Sequence, residues 1–363
     1  MSTPTPDGTV GTGEAVTKPV PPNGIGPSGI GPKPPGGPSG SRGNGLLASP
    51  WGRHVGLIIA LAVLIIIGMV TAGARFGTAS NLRTVLTLAV VTGVLSIGMT
   101  FVIIGGGIDL SVGSQVALCS VWSTTVATQD MAANSTWWLI VLVALLVGMG
   151  VGLVNGVFIA YGPIVPFIMT LATLAAADGL AEVISAKKTQ VIKDTGFRDF
   201  FTGSVFGIPV QVIVFALVAA VGWVVLNRTT FGRRTYAVGG NPEAARLAGI
   251  DVKRHTMLLY VLMGLCCGIA AVLITARTNA GSSNLGIGYE LDSIAAVVIG
   301  GTLLTGGRGT IAGTMIGVLI FSILNNVFTL NNLDTSTQAI AKGAIIVIAV
   351  LLQQRVARTQ LRS

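Results

Sequence analysis

Charged side chains are scarce in this sequence. Asp, Glu, Lys and Arg make up 10% of its 363 residues, whereas soluble domains carry about 25%. Hydrophobic residues make up 51%, and the mean hydropathy is +0.79. So little charge beside so many apolar residues excludes an ordinary soluble globular domain. The sequence therefore predicts an integral membrane protein.

Residues that support metal or covalent chemistry are also few. Cys119, Cys266 and Cys267 all fall within apolar runs, and neither His54 nor His255 has a partner at metal-ligand spacing. We find no cluster of His, Asp and Glu and no nucleophile–base pair, so a membrane-embedded enzyme is not supported. The phosphate-binding pattern G-x-x-x-x-G-K-[ST] is absent as well. The sequence thus predicts no catalytic residue, no metal site and no cofactor on this chain.

Positive charge is in excess, with a formal net charge of +9. On a soluble protein this would suggest nucleic acid, but here the basic residues flank the apolar segments, as the positive-inside rule describes. We therefore predict no nucleic-acid partner. Basic residues precede the first apolar segment and recur in the loop 228–255 and at the C-terminus, which predicts that this loop and both termini are cytoplasmic. The basic loop 187–207 would then face outward, although an odd number of preceding spans would place it inside.

The apolar segments predict an all-α polytopic membrane protein. Residues 1–50, rich in Pro, Gly and Ser, are predicted to form a disordered cytoplasmic tail, residues 51–355 the transmembrane domain, and residues 356–363 a cytoplasmic C-terminal tail. Three segments are shorter than the ~20 residues of a spanning helix, which predicts broken or re-entrant helices. We predict about ten transmembrane helices, with eight or nine as the alternative, at 55–73, 84–104, 112–128, 137–161, 164–186, 208–227, 256–276, 293–304, 311–330 and 338–353.

A charged, well-formed helix is predicted between two apolar segments. Asn241 is a good N-cap, Pro242 suits the first helical position, and Glu243 suits the positive end of the helix. Gly249 then offers a stop. Charge at this density cannot lie in the bilayer core, so the segment must be exposed to water. A short exposed helix between spans indicates a docking element for a soluble partner, and the alternative is an ordinary surface loop.

A second motif places Asp109 between apolar runs. An ionised carboxylate there is costly unless it is paired or hydrated. Asp109 and Ser111 are also typical helix-capping residues, and a helix is predicted to follow from Val112. The motif therefore has two interpretations, namely an acidic site beside a translocation path near the cytoplasmic boundary, or a helix cap.

Further polar residues in the apolar runs are candidates for lining or gating a path. Asp178 and Glu182 are four apart and share a helix face, either along an aqueous path or at the outer mouth of a span. Neutral polar residues could hydrogen-bond a solute hydroxyl or simply a neighbouring helix. Those singled out are Gln115, Asn155, Asn325 and Asn326.

Three separate motifs occur in order over roughly residues 80–350. They are GIDLSVG at 107–113, GNPEAA at 240–245, and GGT at 300–302 together with GGRGT at 306–310. The chain resembles the ribose-type permease subunits of bacterial ABC importers, in the superfamily that also holds branched-chain amino acid permeases. The long Pro/Gly tail is not part of that family pattern.

The resemblance implies a division of labour. In this family a Glu-Ala-Ala sequence and a later Gly form a short helix that inserts into a groove on the ATPase subunit. The residues that would couple to the ATPase are Asn241, Pro242, Glu243, Ala244, Ala245, Arg246 and Gly249. The resemblance further implies a homodimer with a second permease copy, cytoplasmic ABC ATPase subunits that bind ATP and Mg, and an extracytoplasmic sugar-binding protein.

The expected function is therefore inward transport of a monosaccharide, a ribose-like pentose or a hexose, across the bacterial cytoplasmic (inner) membrane. The permease itself would have no ATPase site. One alternative is an ABC permease for branched-chain amino acids or another small polar solute. Another is a stand-alone secondary transporter, which would need coupling carboxylates in mid-membrane, for which only Asp109, Asp178 and Glu182 are candidates.

Overall fold

The computed structural model describes residues 50–360. The predicted disordered tail lies outside the described residues, apart from Pro50. The described chain is mainly helical, with four two-residue strands. Its α-helices are α1 (Pro50–Ala72), α2 (Ala79–Ile104), α3 (Val112–Ser123), α4 (Val126–Ala133), α5 (Trp138–Tyr161), α6 (Pro166–Ser185), α7 (Thr195–Thr202), α8 (Val210–Arg228), α9 (Thr230–Gly240), α10 (Pro242–Leu247), α11 (Val252–Thr278), α12 (Tyr289–Ile299), α13 (Ile311–Leu330) and α14 (Thr335–Gln360).

Seven helices within the described residues are long and apolar enough to cross a membrane. They correspond to seven of the ten predicted segments and confirm the all-α polytopic membrane fold. Their bounds are Val55–Arg75, which includes a 3₁₀ turn at Gly73–Arg75, Ala79–Ile104, Trp138–Tyr161, Pro166–Ser185, Val210–Arg228, Val252–Thr278 and Ile311–Leu330.

The three short predicted segments differ from full spans. Helices α3 and α12 have 12 and 11 residues, which at 1.5 Å per residue is about 18 and 16 Å, well short of the ~30 Å hydrocarbon core. The prediction for 112–128 is too long because α3 ends at Ser123. The prediction for 293–304 is shifted, because α12 begins at Tyr289 and ends before Gly301, whose φ of +89° turns the chain. The segment 338–353 lies within α14.

Glycines allow the central helices to approach closely. Helix α5 packs along α11, where a methyl group on Gly148 would overlap the carbonyl oxygen of Gly264. Helix α13 packs on α12 in the same way, since a methyl group on Gly313 would overlap the carbonyl oxygen of Gly300. Lipid offers no hydrophobic driving force between helices, so helices in a membrane associate through close van der Waals packing, which small residues allow. Helix α2 lies at the centre of the bundle, and 89% of the residues in its most apolar stretch are buried.

Two basic loops lie at opposite ends of α11, as predicted. The loop 228–255 enters α11 at Val252. At the other end, strand β4 (Ala280–Gly281) follows α11 and pairs antiparallel with strand β1 (Gln190–Val191) of the other loop. That second loop also contains α7 and a hairpin of β2 (Ser204–Val205) and β3 (Ile208–Pro209). Helix α8 joins the two loops.

Candidate functional site

The charged helix α10 begins as its sequence predicts. The Asn241 side-chain oxygen accepts a 3.0 Å hydrogen bond from the Ala244 N–H, which satisfies one free donor of the first turn. Pro242 occupies the first helical position, where its missing N–H costs nothing. These local bonds fix where the helix starts, independently of any partner.

The other end of α10 is closed by a Schellman motif. Gly249 has φ +81° and its N–H donates to the Arg246 carbonyl oxygen at 3.0 Å. The Ile250 N–H donates to the Ala245 carbonyl oxygen, also at 3.0 Å. A side chain at Gly249 would strain this left-handed conformation, so the predicted stop is confirmed with its physical reason.

Most of the α10 surface faces away from the protein. Ala245 is its one buried residue, and the Glu243–Arg246 ion pair of 3.0 Å is exposed. Leu247 is 81% exposed, although leucine side chains are usually buried. Helix α10 thus displays one large apolar side chain beside an exposed ion pair. The sequence analysis did not single out Leu247. A leucine on a short helix that must be exposed to water could have indicated an exposed apolar side chain.

Two glycine turns meet the end of α9 where it leads into α10. The Gly307 N–H donates to the Ile104 carbonyl oxygen at 2.8 Å. A methyl group on Gly239 would overlap that same carbonyl oxygen, and one on Gly306 would lie 2.7 Å from the Gly239 carbonyl oxygen. We call Gly106, Gly239, Gly306 and Gly307 the glycine junction. It brings the turn after α2 and the turn before α13 together at the loop 228–255, so both glycine turns lie at one end of the protein.

Tyr236 of α9 forms a further contact beside the glycine junction. Its hydroxyl donates a 2.8 Å hydrogen bond to the Gly309 carbonyl oxygen, just before α13. Burial raises the pKa of the Tyr236 phenol because the charged form would lose solvation. The hydroxyl therefore stays protonated and remains a donor at neutral pH. Helix α9 is thus held to the α12–α13 turn by a side chain as well as by backbone contact.

A buried polar cluster surrounds Asp109. The carboxylate Oδ1 accepts bonds from the Ser111 N–H at 2.9 Å and the Ser111 hydroxyl at 2.5 Å, and Oδ2 accepts one from Gln115 Nε2 at 3.3 Å. Asn155 Nδ2 of α5 donates to Ser111 Oγ at 3.0 Å, and the Thr173 hydroxyl of α6 donates to Asn155 Oδ1 at 2.5 Å. We call these five residues the Asp109 cluster. All are buried, so they form a closed network in this conformation.

Ser111 is the hub of the Asp109 cluster. A serine hydroxyl has one donor and two acceptor positions. The Ser111 hydroxyl uses all three, since it donates to Asp109 and accepts from Gln115 and Asn155. Gln115 Oε1, by contrast, has no hydrogen-bond partner among the described residues. The cluster therefore has one free acceptor within an otherwise satisfied network.

The Asp109 cluster lies inside the helical bundle. Asn155 is six residues from the end of α5 at Tyr161, which is about 9 Å along a helix. This end of α5 is the one nearest the loop 228–255, because Lys253 Nζ lies 5.9 Å from the Tyr161 ring centroid. The cluster is thus closer to the α10 end of the protein than to the β1–β4 end.

Asp109 is not the N-cap residue of α3, although its carboxylate accepts one backbone N–H bond as predicted. The N-cap of α3 is Ser111, which makes no side-chain capping bond. The Asp109 carboxylate instead binds Ser111 two residues ahead, before the helix starts. The turn is therefore held by the side-chain cluster, and the predicted role of Asp109 in gating or translocation remains a prediction.

The other predicted path residues lie apart from the Asp109 cluster. Asp178 is exposed on α6. Asn326 forms a two-way amide pair with Asn81, at 3.0 and 2.8 Å, and so joins α13 to α2. Asn325 is partly buried, and its Oδ1 has no partner among the described residues. Of the predicted set, the structure brings together Asp109, Ser111, Gln115 and Asn155.

Sequence reasoning missed an ion pair between α12 and α14. Lys342 Nζ lies 3.3 Å from Asp292 Oδ2, with side-chain exposures of 25% and 14%. Lys342 also lies 5.3 Å from the ring centroid of Phe321, near the middle of the α13 span. The pair therefore lies at the depth of the spanning helices. The signal was a lysine inside a predicted apolar segment, a position where charge is costly without a partner.

Comparison with known proteins places the chain in a family. A family model described as branched-chain amino acid transport system / permease component matches residues 81–350. The ribose import permease protein of Bacillus subtilis is 40% identical over 305 residues, which cover 84% of this chain and 93% of that protein. The D-allose transport system permease protein of Escherichia coli is 35% identical over 309 residues, covering 85% and 93%.

A third relative extends the same pattern. The galactose/methyl galactoside import permease protein of Salmonella typhimurium is 34% identical over 318 residues, which cover 83% of this chain and 94% of that protein. No solved structure matched the chain. Because the family model covers most of the sequence and these relatives align along nearly their whole length, the chain belongs to the family of branched-chain amino acid transport system permease components.

Proposed function

We propose that this chain is the permease subunit of an ATP-driven importer that carries a monosaccharide, a pentose or a hexose, inward across the bacterial inner membrane. The relatives named for ribose, D-allose and galactose support a sugar over an amino acid. The observation that carries the proposal is α10, an exposed, doubly capped helix joined directly to the glycine junction. A rigid external helix connected to the bundle interior suits a subunit whose energy comes from another chain.

The partners follow from that division of labour. Two cytoplasmic ABC ATPase subunits bind ATP and Mg and dock on α10, and an extracytoplasmic binding protein delivers the sugar at the β1–β4 end. A second copy of the permease completes the pathway. Both termini and the loop 228–255 then lie in the cytoplasm, where basic residues are enriched.

Within the permease, movement of α10 reaches the bundle through the glycine junction. Displacement of Gly239 shifts the turn at Gly106, which leads into the Asp109 cluster, and the turn at Gly306, which joins α12 to α13. The Asp109 cluster spans α3, α5 and α6. Its closed network would have to open, or move as a unit, when α3 moves relative to α5 and α6. We assign it a gating role on this basis.

Docking on α10 is tested with two surface variants. Glu243→Lys breaks the exposed ion pair and reverses charge at the positive end of the helix, and Leu247→Ser removes the displayed apolar side chain. Each should reduce co-purification of the ATPase subunit at least tenfold and abolish ribose uptake, while the permease level in the membrane is unchanged. Lys253→Gln, on an exposed residue beyond α10, serves as the matched control and should behave as wild type.

The energy source is tested with the purified chain alone in liposomes. It should neither hydrolyse ATP nor accumulate radiolabelled ribose, allose or galactose under an ion gradient. Gradient-driven accumulation by the isolated chain would instead establish a stand-alone transporter. Full uptake and normal ATPase association in both α10 variants would reject the docking role.

A further inference from the structure

A pocket lies beside α10, and apart from Gly249 its lining residues have no role in the proposed transport mechanism. Its volume is about 450 Å³, and it lies between α9, the α10–α11 connection and the first turns of α11. Its lining residues are Phe231, Arg234, Gly249, Ile250, Asp251, Arg254, His255 and Leu258.

Two arginines give the pocket a basic side. Arg234 and Arg254 both line it, and neither guanidinium group takes part in a hydrogen bond or ion pair among the described residues. Asp251 also lines the pocket, but its Oδ1 is engaged in capping α11, where it accepts the Arg254 N–H at 2.9 Å. Two unpaired guanidinium groups beside one engaged carboxylate leave a net attraction for an anion, and the fork of an arginine suits phosphate oxygens.

Other lining residues of the pocket are apolar. Phe231 packs on the His255 ring, with 4.6 Å between centroids. Leu258 is 38% exposed and lies one helical turn beyond Arg254 on the same face of α11, about 6 Å further along the span. The pocket thus passes from cationic to apolar in the direction in which α11 enters the membrane. A free phosphate would make no use of these apolar residues.

We propose that this pocket binds an anionic phospholipid of the cytoplasmic leaflet. The phosphodiester lies between Arg234 and Arg254, and the beginning of the acyl chains lies along Leu258. Basic pockets between helices at the cytoplasmic face are suited to such headgroups. The proposal uses the cytoplasmic placement of the loop 228–255 from the proposed function, but its test measures lipid binding and not transport, so the two can fail separately.

A bound lipid would also touch the base of α10. Gly249, Ile250 and Asp251, which connect α10 to α11, form one side of the pocket. The lipid would therefore hold the coupling helix at a fixed distance from the membrane surface. Anionic lipid should in this way support ATPase docking without contacting the ATPase.

The test is native mass spectrometry of the full chain released from detergent micelles doped with phosphatidylglycerol or phosphatidylcholine. The wild type should retain phosphatidylglycerol and not phosphatidylcholine. The double variant Arg234→Gln/Arg254→Gln should lose at least tenfold of this retention. Arg233→Gln, on an exposed neighbouring arginine that does not line the pocket, is the matched control and should keep it. Size-exclusion profiles confirm that each variant is folded.

Three results would overturn the proposal. The first is equal retention of phosphatidylglycerol by the double variant and the Arg233→Gln control. The second is displacement of the lipid by millimolar inorganic phosphate, which would make the site one for a free anion. The third is protection of Arg234 and Arg254 from an arginine-modifying reagent by the ATPase subunit but not by lipid, which would assign the pocket to that protein.

Discussion

The backbone N–H of Gly307 donates a 2.8 Å hydrogen bond to the carbonyl oxygen of Ile104, although the two residues are far apart in the sequence. This bond joins the end of α2 to the turn before α13. Gly239 packs against the same carbonyl oxygen, at a distance that leaves no room for a Cβ. One backbone oxygen is therefore the point where the loop that carries α10 meets both glycine turns.

Gly239→Ala should uncouple transport. The added methyl group would overlap the Ile104 carbonyl oxygen, and overpacking of this kind costs about 1–3 kcal/mol and displaces backbone. We expect ribose uptake to fall at least tenfold, while ATPase co-purification stays within about twofold of wild type. Uptake and co-purification in matched membrane samples measure the two effects.

Gly240→Ala is the matched control for this variant. The two glycines are adjacent in α9, but a methyl group on Gly240 would meet no atom within 4 Å. Alanine in place of glycine in a helix gains at most about 1 kcal/mol, so transport should be preserved. Equal loss of uptake in both variants, or in neither, would contradict a role for the glycine junction.

Two substitutions at Asp109 separate charge from structure. Asp109→Asn keeps an acceptor for Ser111 but presents an amide N–H₂ to the Gln115 N–H₂ donor. Gln115 can relieve this conflict by turning its unpartnered Oε1 toward the new amide, at the loss of its bond to Ser111 Oγ. Only this one bond is given up, so the variant should reach the membrane at near-normal levels. Asp109→Ala removes the acceptor of the Ser111 N–H and hydroxyl and one of the two acceptors of Gln115 Nε2. Leaving buried groups unpaired costs about 1–3 kcal/mol each. Asp109→Ala should therefore reduce the membrane level several-fold.

Uptake then decides what the Asp109 charge does. Normal membrane level with uptake reduced at least tenfold in Asp109→Asn indicates that the charge serves gating or the path. Near-normal uptake in Asp109→Asn restricts Asp109 to a structural role. Ser114→Ala is the local control, because the Ser114 hydroxyl bonds only the Ser111 carbonyl oxygen and lies outside the network. Wild-type behaviour of Asp109→Ala would show that the cluster is dispensable.

The Asp292–Lys342 ion pair should be needed for stability. Asp292→Asn would leave the Lys342 charge unpaired at the depth of the spans. Breaking a buried pair costs roughly 3–5 kcal/mol, and the lower end applies here because both side chains keep some exposure. Thermal unfolding in detergent should show a clear loss of stability. The double variant Asp292→Leu/Lys342→Met should recover most of it, and failure to recover would mean that the pair has a role beyond charge balance.

Sequence reasoning was most accurate where structure depends on local bonds. Helix α10 was predicted with its start and stop because Asn241, Pro242 and Gly249 act on neighbouring residues. The long spans were predicted because ~20 apolar residues have few alternatives in a membrane. Short helices were less well placed. The start of α12 at Tyr289 was missed because the predicted apolar segment began only after the charges of Glu290 and Asp292.

Contacts between separate helices could not be predicted from the sequence. Nothing local indicates that the Thr173 hydroxyl binds Asn155, or that Gly239 meets Gly306, since each contact depends on how separate helices cross. The same holds for Asn326, whose polar side chain suggested a path but pairs with Asn81. Polar residues in apolar runs indicate that a partner exists, and only the packing identifies that partner.

The Asp292–Lys342 pair also sets an order for biosynthesis. The two residues are fifty positions apart, so at 5–20 residues per second the ribosome adds Lys342 about 2.5–10 s after Asp292. Until then Asp292 has no counterion on α14, and α12 cannot settle stably between α2 and α13, against which it packs. Insertion of α14 is thus the step that completes the bundle. A nascent chain truncated before Lys342 would retain an uncompensated carboxylate on α12.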